Sequence, residues 1–276
     1  MPELQTYRGT VHYDEQGKGE PLLLLHANPG DPRDFDAIVP ALASRYRVIR
    51  LAWPGYGESP APLPPSAASA MQYAELVEQF VLKLDLKGLR IIGNSLGAYA
   101  AACLALRRPE RVTALVLVAP AGFTVHTYWT RLFCRLKGHE GITRWCNGLL
   151  AWLYLRVRTV FTLAMRERAR TVQVRPEAVA VNAALWRSFL LPEYDLREAA
   201  KFIEARTLVI GGRRDPLIPV TDAVRAAALI PASNLIVLPS GHAPFAEVPE
   251  LFLAVTEPFL ARCAAPADMP PAALTA

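Results

Sequence analysis

One pentapeptide, Gly93-Asn94-Ser95-Leu96-Gly97, constrains the fold of this 276-residue chain more than any other feature. It separates an apolar run at residues 89–93 from an alanine-rich run at residues 98–107. A G-x-S-x-G sequence between a strand and a helix forms a strained turn that projects the serine Oγ away from the backbone, and its glycines remove side chains that would collide. The pattern predicts a strand, a tight turn and a helix, with Ser95 as a reactive hydroxyl.

A nucleophilic serine needs a base to take its proton and an acid to orient that base, and both follow Ser95 in the chain. Residues 207–211 predict a buried strand, and the turn after this strand contains Asp215. Residues 235–238 predict another strand, and the loop after it contains His242. Active sites of open α/β sheets lie at the carboxyl ends of the strands. We therefore expect all three side chains at one edge of the sheet.

Short apolar runs alternate with helical patterns along much of the chain. Further strands are predicted at residues 7–13, 22–25, 46–51 and 114–118, and further helices at residues 36–44 and 71–84. Residues 54–69 are rich in Pro, Ser and Ala, which predicts an ordered loop over the strand ends. This alternation is typical of an α/β protein with a mostly parallel sheet and helices on both faces.

These motifs together resemble the α/β-hydrolase family over roughly residues 5–262. Residues 22–30, Leu-Leu-Leu-Leu-His-Ala-Asn-Pro-Gly, resemble the family's His-Gly-x-Pro oxyanion loop. Residues 53–59, Trp-Pro-Gly-Tyr-Gly-Glu-Ser, resemble its Pro-Gly-x-Gly-x-Ser turn. The order Ser, Asp, His is also that of the family. The resemblance implies an α/β-hydrolase fold.

The resemblance also assigns a chemical role to each candidate residue. Ser95 attacks an acyl carbonyl, His242 accepts its proton and passes it to the leaving group, and Asp215 holds the imidazole. The developing oxyanion needs preorganised donors, which are commonly backbone amides. By resemblance these are the N–H of Leu96, directly after the nucleophile, and the N–H of Asn28.

Three neighbouring residues bear on these assignments. Asp222 is an alternative to Asp215 at a predicted helix N-cap, although the Gly-x-x-Asp turn after a strand favours Asp215. His26 belongs to the oxyanion-loop motif, and we expect it to brace that loop rather than to transfer protons. Ala27 stands where the family commonly has glycine.

The alternation of strands and helices stops at residues 123–200, where the pattern is helical throughout. We expect this segment to be a helical cap inserted in a core that comprises residues 1–122 and 201–263. Four of the five tryptophans lie in it, and we expect Trp129 and Trp186, together with Phe123, to line the substrate pocket.

The expected cap is also basic, because residues 123–192 contain eleven Arg or Lys against three Glu, a net charge of +8. One interpretation is a lid over an apolar or anionic substrate, or a peripheral contact with a membrane surface. The other is that arginines solvate the outer helix faces while Trp and Leu pack inward.

Arg156 and Arg158 interrupt the most apolar run, residues 149–165, which predicts that no helix spans a membrane. No nucleic-acid-binding fold accompanies the charge, so we expect no nucleic-acid partner.

Composition limits the cellular setting and the chemistry. Residues 1–13 lack the apolar segment of a signal peptide, and the four cysteines show no C-x-x-C pairing, so we expect a cytoplasmic protein with reduced thiols. Residues 264–276 contain three prolines and little to bury, which predicts a flexible tail. Neither a metal-binding motif nor a glycine-rich phosphate loop occurs, so we expect no metal and no cofactor.

The identity of the nucleophile separates the branches of the family. Haloalkane dehalogenases and epoxide hydrolases resemble this chain in the His-Ala-Asn-Pro segment and the cap, but they use aspartate where this chain has Ser95. Carboxylesterases, lipid-acyl hydrolases, carbon–carbon hydrolases of ring-cleavage products and cofactor-free perhydrolases remain. The Gly-Asn-Ser-x-Gly elbow resembles the carbon–carbon hydrolases, but Ala243 replaces the tryptophan that commonly follows their catalytic histidine.

We therefore predict a serine hydrolase that cleaves a small to medium, partly hydrophobic carboxylic ester through an acyl-enzyme on Ser95. A non-catalytic binding module that keeps the fold is a further alternative, because a fold alone does not establish activity.

Overall fold

A single eight-stranded sheet organises the computed structural model, which describes residues 2–7 and 9–263. The predicted tail, residues 264–276, lies outside the described residues. The strands are β1 (Glu3–Thr6), β2 (Gly9–Gln16), β3 (Pro21–Leu25), β4 (Arg47–Leu51), β5 (Leu89–Asn94), β6 (Val112–Val118), β7 (Arg206–Gly212) and β8 (Ser233–Leu238). Their order in the sheet is β1-β2-β4-β3-β5-β6-β7-β8. Only the β1–β2 and β2–β4 pairs are antiparallel, so the prediction of a mostly parallel sheet is confirmed.

Helices follow most of the parallel strands. They are α1 (Val39–Ala43), α2 (Ala70–Lys83), α3 (Leu96–Arg107), α4 (Tyr128–Lys137), α5 (Glu140–Tyr154), α6 (Val160–Val174), α7 (Pro176–Ser188), α8 (Val220–Leu229), α9 (Pro244–Glu247) and α10 (Pro249–Arg262). The Ser69 side chain caps α2 by accepting a hydrogen bond from the Gln72 amide. Tyr73, Val77 and Phe80 then bury one face of α2, which packs against α3.

Strand β3 explains why the core has two halves. Leu22 and Leu24 are fully buried in one apolar cluster, together with residues of α1 and α10. Leu23 and Leu25 are fully buried in the other, together with residues of α2, α3 and α8. Successive side chains of a strand point to opposite faces of the sheet, so a continuous apolar run requires helices on both faces. Burial stabilises each of these leucines by about 1.5–3 kcal/mol relative to exposure.

Two predicted elements differ from the structure. The strand predicted at residues 7–13 corresponds to β2, which begins at Gly9 and continues to Gln16. The sequence does not predict its partner β1, because Leu4 is the one apolar residue of Glu-Leu-Gln-Thr and the strand forms by pairing with β2. The helix predicted at residues 36–44 is shorter: a 3-10 turn at Pro32–Phe35 precedes α1. Pro40 lies in the first turn of α1, where the lack of an amide hydrogen is tolerated.

Helices α4 to α7 lie between β6 and β7, where the sequence predicts the cap. Helix α5 packs against both α6 and α7. The apolar run at residues 149–165 is split, since α5 ends at Tyr154 and α6 begins at Val160. In the part of the chain that the structure describes, no helix is long and apolar enough to cross a membrane. The division into a core and a cap at residues 123–200 stays a prediction.

Candidate active site

Ser95 occupies a strained backbone conformation between β5 and α3, with φ +54° and ψ −110°. Only glycine adopts positive φ without steric cost, so the surrounding structure must hold the serine there. A Cβ atom added to Gly93 would collide with the carbonyl group of Gly97, and one added to Gly97 would collide with that of Leu25. Both glycines are therefore required for the close approach of α3 to the sheet. The Ser95 amide donates to the Val118 carbonyl over 2.9 Å, which anchors the turn to β6.

His242 and Asp215 form a hydrogen-bonded pair beyond the carboxyl ends of β8 and β7. The Nδ1 atom of His242 lies 2.6 Å from Asp215 Oδ2. The amides of Leu217 and Ile218 donate to Asp215 Oδ1 over 2.8 Å and 3.1 Å. Three donors therefore hold this carboxylate when Nδ1 carries its hydrogen, and in that tautomer Nε2 of His242 is an acceptor.

Main-chain contacts fix the loop that carries His242. Its amide donates to the Tyr154 carbonyl over 3.0 Å, and its own carbonyl accepts a hydrogen bond from Asn94 Nδ2 over 3.1 Å. The Tyr154 ring meets the imidazole edge to face, with the ring centroids 5.5 Å apart. The histidine loop is thus bound to residues before Ser95 on one side and to the end of α5 on the other.

Ser95 and His242 both line one cleft, which is partly open to solvent. Its other lining residues are Ala27, Asn28, Pro29, Ala121, Thr124, His126, Thr130, Phe133, Cys134, Tyr154, Trp186, Phe189, Tyr194, Leu217 and Ile218. Aromatic rings from α4, α7 and the segment after α7 form one wall, and Thr124, His126 and Thr130 add polar groups. Burial lowers the pKa of His126, which keeps that imidazole neutral at neutral pH. A mostly apolar cleft with a few polar groups is typical of a small-molecule site.

Of the two predicted oxyanion donors, Asn28 lines the same cleft, and Leu96 directly follows Ser95 in the chain. Leu96 is the first residue of α3, so its amide is one of the first-turn N–H groups that have no partner within a helix. The Asn28 side chain is held on both sides: Tyr56 Oη donates to its Oδ1 over 2.6 Å, and its Nδ2 donates to Asn182 Oδ1 over 3.3 Å. These bonds fix the loop that carries the Asn28 amide.

Hydrogen bonds of His26 brace the loop that carries Asn28. Its Nδ1 lies 2.8 Å from the Ala27 carbonyl, and its Nε2 accepts a hydrogen bond from the Trp53 amide over 3.2 Å. The Trp53 indole donates to the His26 carbonyl over 2.7 Å. Burial lowers the pKa of His26 from 6.5 to about 4, so the ring is neutral near pH 7. The contacts agree with a bracing role and not with proton transfer.

Three of the candidate residues lie outside the site: Asp222, the disfavoured alternative to Asp215, and the predicted pocket residues Phe123 and Trp129. Asp222 accepts hydrogen bonds from Thr124 and Arg225, and Asp215 is the aspartate that contacts the histidine. Phe123 is fully buried in the core, and Trp129 is 73% exposed at the start of α4, so neither lines the cleft. Of the three predicted pocket residues, only Trp186 lines it.

The structure also brings residues to the site that sequence reasoning missed. Phe133, Phe189 and Tyr194 line the cleft, and Asn182 bonds Asn28. All lie in the helical segment or just after it, where an amphipathic pattern marks a buried face without showing what that face contacts. No motif singles them out.

A model of the α/β hydrolase fold family matches residues 20–249 of the chain. This match covers most of the chain, so the protein belongs to that family, and the predicted fold is confirmed. The family match, together with curated relatives that are named as esterases, supports a hydrolase of the esterase type.

Two relatives illustrate the range of reactions that proteins similar to this chain are named for. It is 29% identical to the pimeloyl-(acyl-carrier protein) methyl ester esterase of Aeromonas hydrophila, in an alignment that covers 91% of this chain and 99% of that protein. It is likewise 29% identical to the 2-hydroxymuconate semialdehyde hydrolase of Pseudomonas putida, with 92% and 91% covered. The ester-hydrolase prediction and the carbon–carbon alternative both agree with these relatives.

A solved structure supports the fold independently. The thermophilic esterase of Thermogutta terrifontis superimposes with a TM-score of 0.79 at 23% identity, over 96% of this chain and 99% of that one. At this identity the likeness supports the fold alone.

Proposed function

We propose that this protein is a serine hydrolase that cleaves a carboxylic ester through an acyl-enzyme on Ser95. One observation carries the proposal: the hydrogen-bonded His242–Asp215 pair and the strained Ser95 turn face the same cleft. A nucleophile, a base and a group that orients the base are the three parts that acyl transfer requires.

In the proposed reaction, Ser95 Oγ attacks the ester carbonyl while His242 Nε2 takes the hydroxyl proton. The N–H groups of Leu96 and Asn28 stabilise the oxyanion, each by about 2.7–4 kcal/mol. Collapse of the intermediate breaks the bond to the alcohol, which leaves with the proton from His242. Water then attacks the acyl-enzyme by the same steps and releases the carboxylic acid. Asp215 stabilises the imidazolium in both halves.

The cleft supports a small to medium ester with one hydrophobic portion. The Trp186 ring contacts both Phe133 and Phe189 along its wall, and the three rings offer an apolar surface for an acyl or alcohol chain. The name of the Aeromonas hydrophila relative makes the methyl ester of a medium-length acyl chain the first natural-type substrate to test.

A nitrophenyl ester series of increasing acyl length tests this proposal. We expect turnover that passes through a maximum at short to medium chains, and loss of turnover in Ser95→Ala with an unchanged circular dichroism spectrum. A Ser95→Ala protein with wild-type turnover would contradict the mechanism.

Carbon–carbon cleavage is the second candidate, and the Pseudomonas putida relative favours it. Ala243, in place of the tryptophan that commonly follows the histidine in those enzymes, favours the ester. A dienoate ring-cleavage product assayed beside the esters separates the two candidates. Addition of hydrogen peroxide to the ester assay, with peracid as the measured product, tests the perhydrolase alternative.

We also propose that the outer face of α5 contacts membrane surfaces. Trp145, Leu149 and Trp152 recur at helical spacing on this face and are 85%, 59% and 58% exposed. The interpretation that the cap tryptophans pack inward is therefore wrong for these two and for Trp129. Exposed indole and leucine side chains on a basic segment are typical of helices that lie at a lipid interface.

The basic charge of the helical segment supports an anionic lipid surface. Arg131, Arg135, Arg144 and Arg158 are exposed, and among the described residues no carboxylate forms an ion pair with them. We expect co-sedimentation with phosphatidylglycerol vesicles that weakens at high salt and is lost in Trp145→Ser/Trp152→Ser. Phe202→Ser, which changes an exposed aromatic ring on the core, is the control. Equal binding by both variants, or none by the wild type, would contradict the proposal.

A cytoplasmic location remains part of the proposal. Cys103, Cys134, Cys146 and Cys263 all carry free thiols, which supports a reducing compartment.

A further inference from the structure

One buried carboxylate, that of Glu247, joins the histidine loop to the helical segment. Glu247 is the last residue of α9 and is 2% exposed. Its Oε2 accepts hydrogen bonds from the amides of Arg156 and Val157, both over 2.8 Å, and from Gly241 over 2.9 Å. Its Oε1 accepts one from Ala243 over 3.1 Å. A single carboxylate therefore binds four backbone amides.

These four amides belong to two separate pieces of chain. Gly241 and Ala243 flank His242 on either side, whereas Arg156 and Val157 form the turn between α5 and α6. A carboxylate that accepts several N–H bonds makes charge-assisted hydrogen bonds, which are shorter and about twice as strong as neutral ones. Removing it would leave the buried amides of Gly241 and Ala243 and the part-buried amides of Arg156 and Val157 without this acceptor, and a buried donor without a partner is costly. The carboxylate holds both pieces at once.

Contacts on either side of Glu247 reinforce this connection. The His242 amide donates to the Tyr154 carbonyl over 3.0 Å, at the end of α5. Thr159 Oγ1 donates to the Ala246 carbonyl over 2.8 Å, just before α6. A Cβ atom added to Gly241 would collide with the Tyr154 carbonyl, so the two backbones lie as close as glycine permits. Residues 154–159 and the histidine loop form one continuous contact.

We propose that Glu247 is a positioning residue that sets the orientation of His242 by fixing the peptide groups on both sides of it to the α5–α6 turn. Glu247 does not line the cleft, so it acts on the reaction only through His242. The arrangement couples the helical segment to the general base: a displacement of the α5–α6 turn moves the imidazole. The inference rests on the proposed function, in which His242 is that base.

Glu247→Gln tests the role of the carboxylate with almost no change in volume. The amide nitrogen of glutamine is a donor, so at least one backbone N–H faces another donor and the loop shifts. We expect kcat to fall about 10-fold to 100-fold with KM within about two-fold, because a displaced catalytic group costs rate more than binding. Glu250→Gln is the matched control, since Glu250 is exposed on α10 three residues further on. It should behave as wild type.

Two readouts that need no substrate separate this inference from the proposed function. The downfield proton resonance of the His242 Nδ1–H in the free enzyme should shift or broaden in Glu247→Gln and not in Glu250→Gln. Amide hydrogen exchange at residues 156, 157, 241 and 243 should accelerate together. If the wild type hydrolyses no ester but these changes occur, the function is wrong and the positioning role stands.

The inference is overturned if folded Glu247→Gln keeps the wild-type kcat and imidazole resonance. It is also overturned if exchange accelerates only at residues 241 and 243, because the helical segment is then not coupled. Should Glu247→Gln not fold, hydrogen exchange in the wild-type protein tests the coupling instead. The four amides should exchange with a common opening free energy, and four unrelated values would contradict the coupling.

Discussion

His242 Nδ1 lies 2.6 Å from Asp215 Oδ2, with side chains that are only 5% and 0% exposed. Because the pair is shielded from water, the carboxylate stabilises positive charge on the imidazole more strongly than it would at the surface. The same bond fixes the tautomer in which Nε2 carries no hydrogen and can act as an acceptor. The geometry gives Asp215 a role that a neutral side chain of the same shape cannot fill.

Asp215→Asn should therefore lower kcat by about 10³-fold to 10⁴-fold while leaving the fold intact, because the amide favours the wrong imidazole tautomer. Asp222→Asn is the control, since Asp222 bonds Thr124 and Arg225 instead of the histidine. Steady-state ester hydrolysis by both variants decides the matter. A larger loss of kcat in Asp222→Asn than in Asp215→Asn would mean that Asp222, and not Asp215, orients the histidine.

Trp186 should limit the length of the acyl chain, because its ring contacts Phe133 and Phe189 along the wall of the cleft. Trp186→Ala should raise kcat/KM for long relative to short nitrophenyl esters by about 10-fold, within the range that pocket contacts discriminate. Trp129→Ala removes an exposed indole that does not line the cleft, and should leave the profile unchanged. Identical profiles for the two variants would place the acyl chain elsewhere.

His26 should make stability depend on pH. Burial lowers its folded-state pKa from 6.5 to about 4, so folding favours the neutral ring. The free energy of unfolding has its full value above pH 6.5, where the ring is neutral in both states. As the pH falls from 6.5 towards 4, protonation favours the unfolded state, and the free energy of unfolding decreases by about 3 kcal/mol. Urea unfolding of wild type and His26→Asn between pH 7.5 and 4 should show a free-energy difference that shrinks with falling pH. A difference that stays constant would contradict the buried neutral ring.

Gly97→Ala should destabilise the protein by about 3 kcal/mol, because the new Cβ collides with the Leu25 carbonyl and neither backbone can move freely. Gly141→Ala in α5 is the control: its Cβ would meet only the His139 ring, and alanine favours a helix by up to about 1 kcal/mol. Urea denaturation measures both. Equal stability of the two variants would mean that the elbow is not tightly packed.

The elbow and the strands of the parallel sheet could be predicted because their signals are local. Gly93, Ser95 and Gly97 together specify one turn, and the four leucines of β3 specify burial on both faces. Strand β1 could not be predicted, since its polar residues become a strand only by pairing with β2.

Residues of the helical segment were predicted least well for the same physical reason. Trp129 and Trp186 look alike in sequence, yet one is exposed and the other lines the cleft, because packing between helices decides which face is covered. The four amides that Glu247 binds come from two segments, residues 156–157 and 241–243, that are distant in the chain, and no sequence pattern predicts that these segments lie together.

Covalent labelling shows whether Ser95 is an activated nucleophile. Wild type and Ser95→Ala are incubated with a fluorophosphonate, and the intact masses are compared. We expect one adduct on the wild type and none on the variant. A folded wild type that remains unmodified, or a Ser95→Ala protein that is labelled equally, would contradict it.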